Sequence, residues 1–222
     1  GDTIYEWKSL ISEYSWVRSG FKTESYGGGN VSLQHLSVYP TVFPAVMLGG
    51  TNRFGILWLN KAIRKASRTD ISNAGATYFI AARSSDNFTA LMYQPSLFWK
   101  YSGGPFHWIS NSSTYATSVT NKSGTGDSSR PAVWAARYDW PDATSTINLD
   151  VKHNGSSVLD LTRTGFTSKG EFYSQPALGR HGENTGWGAK NVYFYEIIIY
   201  PTALSDSDIA TVETYLINKY QS

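Results

Sequence analysis

The feature that most constrains this chain is a succession of short apolar or alternating runs, each broken by Gly, Ser, Asn or Pro. "VSLQHLSVY", "TVFPAVML", "FGILWL", "ATYFIAAR", "TALMYQ", "PAVWAARYDW", "INLDVKHNG" and "VYFYEIIIY" all read as strands. The breaks carry turn chemistry. "KHNGSS" sets Asn154-Gly155 between two strands, the pair that a tight hairpin favours because both central residues take positive φ. "MLGGTN" and "SGTGDSS" are further interruptions. Many strands at near-regular spacing with little helical periodicity predict an all-β, two-layer antiparallel sandwich. No linker or internal repeat interrupts the 222 residues, so one domain spanning 1–222 is expected.

One segment departs from this pattern. "LSDSDIATVETYLINKY" predicts a C-terminal helix over 204–220. Ser205 is placed to cap it, with Asp208 three residues on, and Asp206 complements the positive helix end. Ile209, Val212, Leu216 and Tyr220 recur on one face at helical spacing. Pro201 ends the preceding strand, and the helix is expected on the outside or at the end of the sandwich.

Composition narrows the function classes. Hydrophobic residues are 41% against 16% charged, as expected of a folded globular protein. Aromatics reach 15%, with 8 Trp and 15 Tyr, which suits pleated surfaces and flat ligand faces. A net charge of +2 does not call for nucleic acid as a partner. The acid-free interval between Glu24 and Asp70, with Arg53, Lys61, Arg64, Lys65 and Arg68, reads as a solvated loop or short helix. The absence of cysteine excludes disulfides, thiolate metal sites and thiol nucleophiles. No apolar run reaches membrane length, so membrane insertion is not expected. The chain begins without methionine and is expected to be a piece of a larger protein.

The C-terminal segment "ALGRHGENTGWGAKNVYFYEIIIYPTALSDSDIATVETYLINKY" resembles the close of the concanavalin A-like lectin/glucanase superfamily, and within it the LamG-like (laminin G-like) jelly-roll domains. The shared features are a Leu-Gly-Arg strand, a Gly/Trp loop, a Glu-bearing strand, a Leu-Ser-Asp turn and a terminal helix ending in Lys-Tyr. Upstream, "YPTVFPAVMLGGTNRF", "ATYFIAAR" and "INLDVKHNGSSV" resemble earlier elements of these domains. The resemblance implies a two-sheet antiparallel jelly roll with a short C-terminal helix. It also implies a recognition or structural module of bacterial secreted or phage virion proteins, located outside the cell or on the virion.

Because that superfamily includes glycoside hydrolases and polysaccharide lyases, catalysis requires its own test. A retaining glycosidase needs two carboxyls about 5 Å apart. On a strand, acids at i, i+2 and i+4 share a face. Around Glu196 those positions hold Val192, Phe194, Ile198 and Tyr200, none acidic, while Asp150 and Asp139 each stand alone in their strands. His35, His107, His153 and His181 lack zinc spacing, and no lyase Tyr/His motif is visible. No catalytic residue is therefore assigned. Glu196 is expected to accept backbone or Tyr hydroxyl hydrogen bonds near the closing turn, and the resemblance agrees, since non-catalytic members carry a Glu there.

Binding chemistry is better represented. "SLFWKYSGGPFHW" concentrates Trp99, His107 and Trp108 around a Gly-Gly-Pro turn, where sugar rings would stack on aromatic faces. Alternatively, these aromatics fill the core. Trp140 and Trp187 lie beside expected loops, and Arg180, His181, Glu183 and Asn184 surround Trp187 with donors and acceptors. The carbohydrate-binding set is thus Trp187, Arg180, His181, Asn184, Trp140, Trp99, His107 and Trp108. Calcium, common in the superfamily, would need Asp86, Asn87 or Asp127 to converge with carbonyl oxygens. No acidic cluster of that density is written, so no metal or other cofactor is expected. The partner expected is a glycan or host-surface polysaccharide. A virion or cell-surface protein contact, as in a capsid decoration or tail-fibre domain, is the alternative, and a hydrolase or lyase ranks third.

Overall fold

The computed structural model describes residues 6–8, 15–18, 31–38, 41–48, 57–59, 75–84, 89–93, 98–100, 106–108, 117–119, 131–139, 147–163, 177–178, 192–200 and 202–222, with side chains described chiefly in one sheet and the helix. The strands run β1 (Glu6–Lys8), β2 (Ser15–Arg18), β3 (Val31–Val38), β4 (Thr41–Leu48), β5 (Leu57–Leu59), β6 (Gly75–Ser84), β7 (Thr89–Tyr93) and β8 (Phe98–Lys100). Then follow β9 (Phe106–Trp108), β10 (Thr117–Val119), β11 (Ala132–Asp139), β12 (Ile147–His153), β13 (Ser156–Arg163), β14 (Ala177–Leu178), β15 (Val192–Tyr200) and the helix α1 (Asp206–Tyr220). Among the described residues the pairings are antiparallel. They build one sheet ordered β1-β2-β5-β14-β7-β8-β9-β10 and another ordered β13-β12-β11-β6-β15-β4-β3. The fold is all-β with a single C-terminal helix among the described residues.

The seven-stranded sheet is buried on both faces at its centre, which explains why β6 and β11 read as nearly continuous apolar runs. On one face Tyr78, Ile80, Trp134 and Phe194 are fully buried. Register alternates bulk there: Tyr78 opposes Ala136, Ile80 opposes Trp134, and Ala82 lies between Ala132 and Phe194. His153, opposite Trp134 on β12, stacks on its ring at 4.2 Å between centroids.

The other face is built for the helix. Ala45, Phe79, Ala81, Val133 and Ala135 meet Ile209, Leu216 and Tyr220 in one apolar cluster. Three alanines in that floor let the helix approach closely, and each fully buried aliphatic above it is worth about 1.5–3 kcal/mol. The helix begins at Asp206, two residues later than the expected 204, because Ser205 is extended (φ −66°, ψ 160°) and acts as its cap. The Ser205 hydroxyl accepts from the Asp208 backbone N–H at 3.2 Å and donates to the Asp208 carboxylate at 2.6 Å.

A β-bulge in β15 corrects the sequence-based reading of the Glu196 face. The register with β6 slips between Phe194 and Glu196, leaving Tyr195 as the extra residue. Tyr193 before the bulge and Tyr195 within it pack on the helix side, and Ile198 and Tyr200 pack there after it. Glu196 therefore shares its face with Ile198 and Tyr200 but not with Phe194, which is buried among the opposite set. The pairing of β15 with β4 also ends here, at Val46. Pro44 falls beyond that point, where a strand tolerates a residue without an N–H.

The Asn154-Gly155 turn forms as expected, with φ of 51° and 77°. Its asparagine also prolongs the ladder onto β11. The Asn154 N–H donates to the Val133 carbonyl at 2.8 Å, and the Val133 N–H donates to Asn154 Oδ1 at 2.8 Å. The side-chain amide thus stands in for the backbone carbonyl that the left-handed conformation turns away.

Candidate functional site

Three polar groups lie where α1 meets the sheet, and each joins residues distant in sequence. The first secures the turn entering the helix. The buried Thr77 hydroxyl on β6 donates to the Thr202 carbonyl at 2.9 Å and accepts from the Leu204 N–H at 2.9 Å. Arg137 on β11 donates to the Leu204 carbonyl at 3.0 Å and pairs with Asp206 at 2.6 Å and Asp150 at 3.4 Å. Asp150 is the one acid of its strand, as the sequence has it, and Asp160 stands opposite it on β13. Burial raises the Asp150 carboxyl above its ordinary range against the pull of Arg137 and Lys152. With Asp150 held by Arg137, the group serves as a clamp on the turn.

The second group is Glu213, which is 3% exposed although it lies on a helix. Its nearest cation is Lys152 Nζ at 3.9 Å, and its Oε1 has no hydrogen-bond partner. Burial lifts its carboxyl above the ordinary range, with Lys152 and the Gly155 backbone amide opposing. The apolar helical spacing 209, 212, 216, 220 passes over this position, so pattern reading did not single it out.

The third group answers the question raised by Glu196. Its Oε2 accepts from Lys219 Nζ at 2.8 Å and from the Tyr220 hydroxyl at 2.9 Å, and the Tyr215 hydroxyl lies 3.4 Å from Oε1. Lys219 also donates to the Tyr215 hydroxyl at 2.8 Å, and its ammonium sits 5.2 Å from the ring centres of both tyrosines. Desolvation pulls the Lys219 ammonium down, but hydrogen bonds to Glu196 and Tyr215 carry it above the ordinary lysine range. Burial, then the Glu196 charge, push the Tyr220 phenol up. Glu196 does accept Tyr hydroxyls, as expected, and the donors are Tyr215 and Tyr220 from the last two turns of α1. The acid is thus occupied by three helix side chains, and no second carboxylate among the described residues joins it.

This third group is also the part of the described surface best suited to a ligand. Tyr215, 47% exposed, is the large apolar side chain exposed among the described residues, with a cation and a carboxylate beside its hydroxyl. A flat ring edged by hydrogen-bonding groups is the chemistry that sugar recognition uses. Sequence reading passed over Tyr215 and Lys219. Their i, i+4 spacing along the flank of the apolar face was the available signal. Beneath them Tyr195, whose buried hydroxyl has no partner, packs on Tyr220 at 5.6 Å, and Arg83 lies 5.0 Å over the Tyr193 ring.

Of the residues expected to bind carbohydrate, Trp99 lies on β8, and His107 and Trp108 are consecutive on β9. The ladder sets Trp99 opposite His107, while Trp108, the next residue along β9, pairs with Thr117 on β10. Trp140, Arg180, His181, Asn184 and Trp187 lie outside the described residues, as do Glu183, Asp86, Asn87 and Asp127. Among the described residues, no group of three or more His, Asp or Glu is placed to hold a metal ion. No described helix is long and apolar enough to cross a membrane.

No protein-family profile matches the chain, and no curated protein does. Solved structures do match in fold. One is from botulinum neurotoxin type C, a toxin that depends upon interaction with two ganglioside molecules to enter cells (TM-score 0.51, 12% identity, covering 85% of this chain and 47% of that one). A second, solved as a receptor binding domain, gives TM-score 0.51 at 13% identity, with 85% and 47% covered. A third is Trypanosoma rangeli sialidase in complex with a difluoro-sugar acid (TM-score 0.51, 11% identity, 80% and 30% covered). The chain therefore spans about half the length of the toxin chain and less of the sialidase, and what is shared is the fold.

Proposed function

We propose that this chain is a carbohydrate-recognition domain with a concanavalin A-like, LamG-like jelly-roll sandwich, acting outside the cell or on a virion without bond-breaking chemistry. The helix covers one face of the seven-stranded sheet, and burial of the opposite face supports a second sheet stacked against it. The likeness in fold to a ganglioside-dependent toxin and to a sialidase bound to a sugar acid supports a glycan as the ligand class. The observation that carries the reading is the Tyr215 face, an exposed aromatic ring bordered by Lys219 and Glu196. The register pair Trp99–His107 supplies a second aromatic position on the other sheet.

A glycan array tests this directly. Binding to one sugar class, lost with Tyr215→Ala, places the ligand at the helix. Loss with Trp187→Ala or Trp99→Ala instead places it at the loop or on the β8–β9 pair. Silence across a broad array, together with a defined oligomer by light scattering, overturns the reading in favour of a structural virion or cell-surface module. Polysaccharide turnover abolished by Glu196→Gln would make the domain an enzyme.

A further inference from the structure

The Asn154-Gly155 turn carries a chemical liability that the fold holds in check. In an Asn-Gly pair the glycine nitrogen is unhindered and attacks the asparagine side-chain carbon, expelling ammonia and closing a five-membered imide. Water then opens the ring to aspartate or to isoaspartate, in which the main chain runs through the side-chain carbon. The balance needs only water.

Here both partners in that attack are engaged. Asn154 Oδ1 accepts from the Val133 N–H at 2.8 Å and from Gln221 Nε2 at 2.5 Å, and the same Gln221 nitrogen donates to the Pro131 carbonyl at 3.0 Å. Gln221 is itself fixed at the helix end, where its backbone N–H donates to the Ile217 carbonyl at 2.8 Å. The Gly155 backbone amide faces the buried Glu213 carboxylate, and Ile217 Cδ1 lies 3.5 Å from where a Gly155 Cβ would stand. Turning the Asn154 amide toward the Gly155 nitrogen therefore requires release of the β11 bond, the Gln221 bond and the seating of α1.

We propose that Asn154-Gly155 is a self-modifying deamidation site latched shut by the C-terminal end of α1. Its conversion is coupled to undocking of that helix. An isoaspartate at 154 lengthens the main chain inside a two-residue turn and adds a charge near Glu213, which is already buried without a full set of partners. A converted turn thus holds the helix less well.

The test is incubation of the intact chain at neutral pH and 37 °C, with peptide mass mapping of residue 154 and isoaspartyl labelling, beside the same chain kept unfolded in urea. The native chain should convert far more slowly than the unfolded one. Gln221→Ala, which removes the side-chain hydrogen bonds to Asn154 and to the Pro131 carbonyl at the part-buried helix end, should convert about fivefold faster than native while retaining the native circular dichroism. Ser222→Ala serves as the neighbouring control and should convert at the native rate. Equal rates in native and unfolded chains, or a Gln221→Ala rate equal to native, would overturn the proposal.

Discussion

Glu196 shows how a single carboxylate in an apolar strand is made safe by partners that sequence spacing does not reveal. Glu196→Ala would remove the carboxylate that accepts from the part-buried Tyr220 hydroxyl, and the expected cost is about 1–3 kcal/mol, read by urea unfolding. Glu196→Gln keeps an acceptor for Tyr220 and should cost less, because the Lys219 pair is partly exposed and screened. The same cluster predicts an alkaline transition. The folded values of Lys219 and Tyr220 both lie above their unfolded ones, so their contribution is complete below about pH 10 and declines as pH rises beyond it. Helix undocking in that range, followed by tyrosine ultraviolet absorbance, should be blunted in Glu196→Gln.

At the scale of elements, α1 is held by its cap, its apolar face and a buried acid. Ser205→Ala should cost about 1 kcal/mol, and Leu216→Ala about 2–5 kcal/mol, because the latter empties the centre of the cluster on Phe79 and Ala135. Glu213 gives the helix a pH dependence of opposite sense to ordinary acid denaturation. Its folded carboxyl lies above the unfolded Glu value near 4.3, so its contribution is complete below that value and is lost as pH rises through the folded value. Asp150 acts in the same direction. Stability should therefore rise as pH falls from neutrality toward the unfolded carboxyl value, and Glu213→Gln should flatten that slope in thermal melts. Much at this scale was legible in the sequence. The eight quoted runs overlap β3 to β7, β11, β12 and β15, and Ser205 and Asn154-Gly155 sit in the roles their chemistry implies. The bulge at Tyr195 was not legible, because alternation in "YFYEIIIY" reads equally well in either phase. Nor were the ties from Arg137 and Thr77 to the turn before α1, since they join residues far apart in the chain. The brief strands β1, β2, β10 and β14 leave too little pattern to read.

Across the whole molecule the helix acts as a lid on an apolar sheet face. Deleting 203–222 would bare Phe79, Val133 and Tyr195 and should turn a monodisperse chain into aggregates by light scattering. β15, near the C-terminal end, lies between β6 and β4, so without it the seven-stranded sheet is two separate pieces, β13-β12-β11-β6 and β4-β3. Chain emerging from the ribosome therefore carries open edges at β6 and β4 until residue 200 is released. Assembly must wait for the end of translation of this segment, and any pause shortly before it leaves those edges available to neighbouring nascent chains.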